Sequence, residues 1–315
     1  MTHRSALRTL AVLAATALAA GSAVACSNGT DGADSGRLNA VAAFYPLQFV
    51  TERIGGDAVK VTNLTKPGVD PHDMELSPSQ VGQVSRAKVI VYLKGFQPAV
   101  DDAVEQQDGG RAFDVAGVQP LLTGTGGHSH DHGSGTGGAG SSGAPDPHVW
   151  LDPTRLATIG DRLAERFGQI DPDHAADYSA RAATLRRDLE QLDREYTQGL
   201  QTCERREVVV SHAAFGYLTD RYRLEQISVA GLTPEDEPTP RRLAEVIEEA
   251  RRHQATTIFF ETLVNPKVAE TIAEEVGVRT AVLDPIEGLK PGSNDDYFSV
   301  MRANLATLKP ALGCS

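Results

Sequence analysis

Apolar residues along the chain recur in two rhythms, a short continuous one and one with helical spacing. The short runs are Leu38–Ala42, Val59–Asn63 and Val89–Leu93, with a weaker one near Arg111–Val115. They read as strands, and the segments between them read as helices. Pro46 to Ile54 is one such segment, and Ser77-Pro78, a capping residue followed by proline at the first helical position, opens another. From Asp152-Pro153 onward the helical rhythm takes over. Leu156, Ile159, Leu163 and Phe167 form one stripe, which Gly168 closes. Asp171-Pro172 opens a second stripe of Leu185, Leu189, Leu192, Tyr196 and Leu200, while Arg186, Glu190 and Arg194 mark a solvated face. A helix from Pro172 to Leu200 would be about 43 Å long, enough to run the length of a pair of domains. Beyond Cys203 the first pattern returns. Strands are predicted at Glu207–Val210, Leu224–Val229, Thr256–Phe260 and Val278–Leu283, with helices opening at Thr239-Pro240 and Asn265-Pro266 and a last one from Asn294 to Leu308. Alternation of this kind predicts an α/β fold: two doubly wound lobes with mostly parallel sheets, residues 38–170 and 203–315, joined by a long rigid helix within 171–202.

The chain termini change the picture of compartment. Arg4 and Arg8 precede an apolar run from Leu10 to Ala20, and Ala23-Val24-Ala25 follows as a small-residue cleavage site. Residues 1–25 therefore read as an export signal; the run is too short for a spanning helix, which needs roughly 20 residues. Three cysteines are present, Cys26, Cys203 and Cys314. Cys26, directly after the cleavage site, is expected to be the acylated cysteine of a lipoprotein on the outer face of the plasma membrane, although Ala23 stands where Leu is usual. Ordinary cleavage to a soluble exported protein is the alternative. Residues 26–37 form a polar tether. Cys203 and Cys314, one at each end of the second lobe, are expected to pair in an oxidising compartment, the alternative being two separate buried thiols. With 315 residues and a formal net charge of −12, the chain has room for two cores and lacks the basic face that nucleic acid requires.

Candidate chemistry lies in four stretches: Asp146-Pro147-His148-Val149-Trp150-Leu151-Asp152-Pro153, between the Gly-rich segment and the longest helical pattern, and Asp70-Pro71-His72-Asp73, Val210-Ser211-His212-Ala213 and Leu283-Asp284-Pro285, which each end or follow a strand-like run. In open parallel sheets, ligands sit outside the carboxyl ends of strands, so these loops can face one cleft between the lobes. Three imidazoles (His72, His148, His212) and the Asp284 carboxylate form a plausible tetrahedral set for Zn2+. Asp73, Asp146 and the Glu235/Asp236/Glu237 cluster could supply supporting acids, with solvated surface acids as the plainer reading. His174 and His253 sit among helical charges and read as exposed. The competing class, a zinc-dependent hydrolase, would need an open coordination position and a general base; no His-Glu-x-x-His helix is present.

Gly124 to Ala144 is a low-complexity segment with nine glycines. It lacks the apolar residues needed for a core and reads as disordered. His128, His130, Asp131 and His132 within it are expected to capture metal weakly and release it beside His148, since the segment ends at Pro145.

The four stretches together resemble the metal-binding solute-binding lipoproteins of bacterial ABC importers, and the similarity covers nearly all of the mature chain. The resemblance implies two α/β lobes joined by a rigid helix, with the metal held between them by His72, His148, His212 and Asp284. It also implies an ABC transporter permease as partner, a zinc-delivering metallochaperone as a second one, a monomer, and membrane contact only through a lipid anchor. Similar zinc-binding members carry histidine where His212 stands and a His-rich loop ahead of the second ligand, whereas manganese members carry glutamate at the third position. Zinc is therefore the expected cargo and manganese the alternative; some similar lipoproteins are described as adhesins, for which no separate feature exists here.

Overall fold

The computed structural model describes residues 36–107, 109–124, 143–234 and 237–315. The expected export signal, Cys26 and nearly all of the expected tether lie outside these residues, as do His128, His130, Asp131 and His132 of the Gly-rich segment and Glu235 and Asp236.

The first lobe is built on strands β1 (Leu38–Ala42), β2 (Val59–Asn63), β3 (Val89–Tyr92) and β4 (Ala112–Asp114). Helices α1 (Tyr45–Gly55), α2 (Pro78–Arg86) and α3 (Pro98–Gln107) alternate with them, and α4 (Pro153–Ile170) follows. The second lobe holds β5 (Glu207–Val210), α6 (Gly216–Tyr222), β6 (Glu225–Ser228), α7 (Pro240–Arg252), β7 (Thr257–Phe260), α8 (Lys267–Val276), β8 (Arg279–Val282) and α9 (Tyr297–Leu312). Between the lobes runs α5 (Ala175–Gly199). The sheets share one topology, β2-β1-β3-β4 and β6-β5-β7-β8, with every pairing parallel. In each, the strand order reverses beside the first strand (β1 or β5), which leaves a crevice at the carboxyl ends.

Local chemistry explains the boundaries. Ser77 and Gln80 form a reciprocal capping box at the start of α2, and Thr239 Oγ1 accepts from Arg242 N–H at 3.1 Å to start α7. Asp152 caps α4 by accepting from Thr154 N–H at 2.8 Å. Two expectations shift. Helix α4 continues past Gly168, whose missing side chain leaves room for Ala175, since a Cβ there would meet the Ala175 methyl at 3.1 Å. Pro172 does not open the long helix directly. It sits in a 3-10 turn, Pro172–His174, pinned by Asp171 Oδ2, which accepts from Tyr178 O–H at 2.6 Å and pairs with His174 Nδ1 at 2.8 Å.

Helix α5 has 25 residues, about 37 Å of length at 1.5 Å per residue. Tyr178, Ala182, Leu185, Leu189, Leu192 and Tyr196 bury one face. It packs along α4 and α1 in the first lobe and against α9 in the second. Tyr196 fastens the far end: its hydroxyl donates to Met301 O at 2.6 Å, and its ring stacks on Tyr222 with centroids 4.9 Å apart. The larger core runs from the first sheet through Trp150 and Phe44 to Tyr297 and Met301 on α9, so the lobes share one apolar interior beneath the cleft.

Cys203 and Cys314 are joined by a disulfide that ties the start of the second lobe to the last residues, with a sequence separation of 111. Backbone bonds flank it, from Arg205 N–H to Leu312 O at 3.1 Å and from Ser315 N–H to Thr202 O at 3.0 Å. Closing a loop of that length stabilises the fold by about 4–5 kcal/mol on the chain-entropy argument. Replacing both cysteines by serine should lower the denaturant-unfolding free energy by about 2–5 kcal/mol without loss of secondary structure. An unchanged midpoint would mean the neighbouring backbone bonds suffice.

Candidate metal centre

Each side chain of the site is delivered by a loop at the carboxyl end of a strand or at the start of a helix. His72 lies between β2 and α2, in a turn where Asp70 Oδ1 accepts from its backbone N–H at 2.9 Å. His148 follows the Asp146-Pro147 turn ahead of the 3-10 turn Val149–Leu151; Asp146 Oδ1 accepts from His148 N–H at 2.9 Å. His212 comes two residues after β5, and Glu287 five residues after β8. One ligand atom from each of these four buried residues lies within 4.8 Å of all the others.

Glu287 is the centre of the arrangement. Its Oε1 lies 3.1 Å from His72 Nε2, 3.0 Å from His148 Nε2 and 3.4 Å from His212 Nε2. His148 and His212 Nε2 are 3.4 Å apart. Four of the six edges of the cluster therefore fall between 3.0 and 3.4 Å. A zinc ion bound at 2.0–2.1 Å by tetrahedral nitrogen and oxygen ligands sets those ligands about 3.3 Å apart. These four separations fit such an ion.

Two of the imidazoles are backed by a carboxylate. His148 Nδ1 lies 2.8 Å from Asp146 Oδ1, and His212 Nδ1 lies 2.6 Å from Glu261 Oε1, which also accepts from Ser211 O–H. A carboxylate at Nδ1 fixes the ring orientation and holds the proton there, which turns the Nε2 lone pair toward the centre and makes it more basic. Glu261 Oε2 is buried with no hydrogen-bond partner. Burial opposes charge on the His148 ring, but Asp146 and Glu287 outweigh it and raise its pKa above the ordinary value. The same contest, with Glu261 and Glu287 on the winning side, lifts His212 well above it. Burial pushes Glu287 up, yet hydrogen bonds from His148, His212 and His72 hold it well below the usual carboxylate range. The raised rings of His148 and His212 and the depressed Glu287 carboxyl thus stabilise one another.

The expected fourth ligand is displaced. Asp284 does not join the cluster, because both of its oxygens are engaged: Oδ2 accepts from Thr262 O–H at 2.6 Å and Oδ1 from Ile286 N–H at 2.7 Å. Glu287, three residues on, is the carboxylate that lies in the cluster. Of the acids considered as support, Asp146 backs His148, whereas Asp73 and Glu237 are exposed. Glu261 was missed by sequence reasoning, although its place directly after β7 at the carboxyl edge was a usable signal. His174 and His253 are partly buried rather than exposed, since each pairs with a carboxylate: Asp171 at 2.8 Å and Glu207 at 2.9 Å.

An aromatic wall completes the site. Phe96 meets His72 edge-on at 4.6 Å between centroids, and Trp150 lies 5.3 Å from His148. Trp150 Nε1–H donates to Pro285 O at 2.6 Å, and Tyr297 O–H donates to Trp150 O at 2.6 Å, so the His148 turn is bonded to the segment carrying Glu287. A cavity of about 220 Å³ borders His72 on the outer side, lined by Lys94, Phe96, Pro145, Pro147 and Leu232 among others.

Comparison with known proteins agrees with this architecture. Residues 40–311 match the family model described as ZnuA, zinc-uptake complex component A, periplasmic. The chain is 35% identical over 287 residues to the zinc-binding protein AdcA of Streptococcus pyogenes serotype M6, covering 87% of this chain and 56% of that protein. It thus spans little more than half the length of the AdcA relatives. It is 33% identical to the high-affinity zinc uptake system protein ZnuA of Bacillus subtilis, covering 91% of this chain and 93% of that one. The crystal structure of the Zn(II)-bound ZnuA-like domain of Streptococcus pneumoniae AdcA superposes with a TM-score of 0.73 at 31% identity, covering 88% of this chain and 99% of that domain. From the matching sequence, the shared two-lobed fold and the buried cluster, the chain belongs to the ZnuA family of periplasmic zinc-uptake components.

Proposed function

We propose that this protein is the extracytoplasmic binding component of an ABC-type zinc importer, holding one Zn2+ between its lobes and passing it to a membrane permease. The observation that carries the reading is the convergence of one ligand atom each from His72, His148, His212 and Glu287 within 4.8 Å of one another at a buried interlobe position, with four of the separations close to those of a tetrahedral zinc site. A nitrogen-rich set with a single carboxylate suits zinc better than the harder cations, which prefer oxygen. Four protein donors leave no position for an activated water, so the arrangement supports binding and transport rather than hydrolysis. The names of the AdcA and ZnuA relatives support the same cargo. Among the described residues no helix is long and apolar enough to cross a membrane, and attachment through an acylated Cys26 remains part of the proposal. So does weak capture of zinc by His128, His130, Asp131 and His132 ahead of its transfer to the core site, from a metallochaperone or from solution.

Ligand substitution tests the assignment. His148→Ala and Glu287→Gln should each weaken zinc affinity at least tenfold, about 1.4 kcal/mol or more, in competition with a fluorescent chelator. Asp284→Asn, which leaves the four donors in place, should change it far less. Parent-like affinity in Glu287→Gln would remove Glu287 from the donor set.

The pH dependence has a definite sign. Raised imidazole pKa values stabilise the metal-free fold fully below the unfolded value of about 6.5, and that stabilisation is lost as pH rises through the raised values. The depressed Glu287 value reports the same attraction from the carboxylate side: present above its unfolded value and lost only as pH falls through the lowered one. Zinc requires unprotonated Nε2 atoms and so competes with those protons. The rise in melting temperature on adding one equivalent of zinc should therefore be larger at pH 8 than at pH 6 by calorimetry. An increment independent of pH across that interval would exclude histidine ligation.

A further inference from the structure

We propose that Asp284 is a positioning residue: its carboxylate holds Ile286 in a left-handed turn and thereby aims Glu287 at the three imidazoles. The inference rests on the zinc reading above and assigns a role to a carboxylate that resembles a ligand in sequence.

Ile286 has φ +61°, a conformation that a β-branched side chain rarely adopts and that persists only where its surroundings impose it. Backbone groups on both sides of the turn's start are engaged. Asp284 N–H donates to Asn304 Oδ1 at 2.9 Å, and Asn304 Nδ2–H returns a bond to Asp284 O at 2.7 Å. Pro285 O accepts from Trp150 Nε1–H, and Ile286 N–H donates to Asp284 Oδ1. The other Asp284 oxygen is fixed by Thr262, two residues beyond β7. The turn is thus fastened to α9, to the loop after β7, and to the turn that carries His148. Asp284 bonds directly to the strained residue's N–H while its own position is set by Asn304 and Thr262. Glu287 follows immediately, fully enclosed, with its Oε1 among three imidazole nitrogens. A carboxylate so placed must arrive in one orientation, and the left-handed residue before it supplies the change of direction.

Three consequences separate positioning from ligation. Asp284→Asn keeps an oxygen for Ile286 N–H, so zinc affinity should stay within about threefold of the parent, and the visible absorption of the Co2+-loaded protein should be unchanged. Asp284→Ala releases the turn and should weaken zinc binding at least tenfold. Adding Ile286→Gly to Asp284→Ala should recover about fivefold or more of that loss, because glycine adopts positive φ without the side-chain clash. On a Glu287→Gln background, Asp284→Ala should cost less than about threefold, since the carboxylate being aimed is already gone. The measurements are zinc competition titrations and Co2+ spectra on the purified protein, with folding checked by circular dichroism. Should Asp284→Ala not fold, Asp284→Asn decides alone: near-parental affinity with the parental Co2+ spectrum supports positioning, and a tenfold loss with a changed spectrum overturns it. Full additivity of Asp284→Ala with Glu287→Gln, or parental affinity in Asp284→Ala, likewise overturns it. A parent chain that binds neither ion would instead defeat the zinc reading itself, and this inference with it.

Discussion

The structure depends on a buried carboxylate that three imidazoles surround. Removing a charged carboxylate from water costs several kcal/mol even after relaxation, and only close, well-directed partners offset that cost. Glu287 has those partners, and they come from both lobes: His72 and His148 from the first half of the chain, His212 from the second. Separating the lobes at the cleft would take Glu287 away from His72 and His148 together. The loops that carry them are accordingly fixed from outside, by Asp70 and Asp146 acting on the backbone of the histidines that follow and by the aromatic hydrogen bonds of Trp150 and Tyr297. Packing beneath the cleft and polar convergence within it enforce the same closed arrangement.

Much of this was legible in the sequence, for identifiable reasons. Strand positions were readable because buried parallel strands are short, β-branched runs, such as Val89–Tyr92 with all four residues buried. Helix starts were readable where a capping side chain precedes proline, as at Ser77, Asp152 and Thr239. Elements without such markers went unseen: α6 begins at Gly216 with no side-chain cap, and α3 is a ten-residue helix of weak pattern. Helix α9 extends beyond the expected Leu308 because Pro310 lies in its last turn, short of the left-handed Gly313 that ends it. The histidines were legible because each stands beside a strand end or a rigid Asp-Pro turn. Glu287 was not. Asp284 follows β8 directly and carries the more conspicuous Asp-Pro pair, whereas Glu287 looks like one more acid in a loop. The signal available was its neighbours, Ile286, Gly288 and Leu289, an apolar setting in which an unpaired glutamate would not be stable.

The carboxylates of the site also set its charge. Three carboxyl groups, Glu287, Asp146 and Glu261, lie in or against the cluster, all nearly inaccessible to water. They raise the pKa of His148 and His212 against the opposing effect of burial, which favours a proton on each of those rings. On the proposed function, a bound dication would take over the role of those protons. The carboxylates behind His148 and His212 thus do more than orient rings. They favour positive charge in the cleft, whether carried by protons on the imidazoles or by a cation.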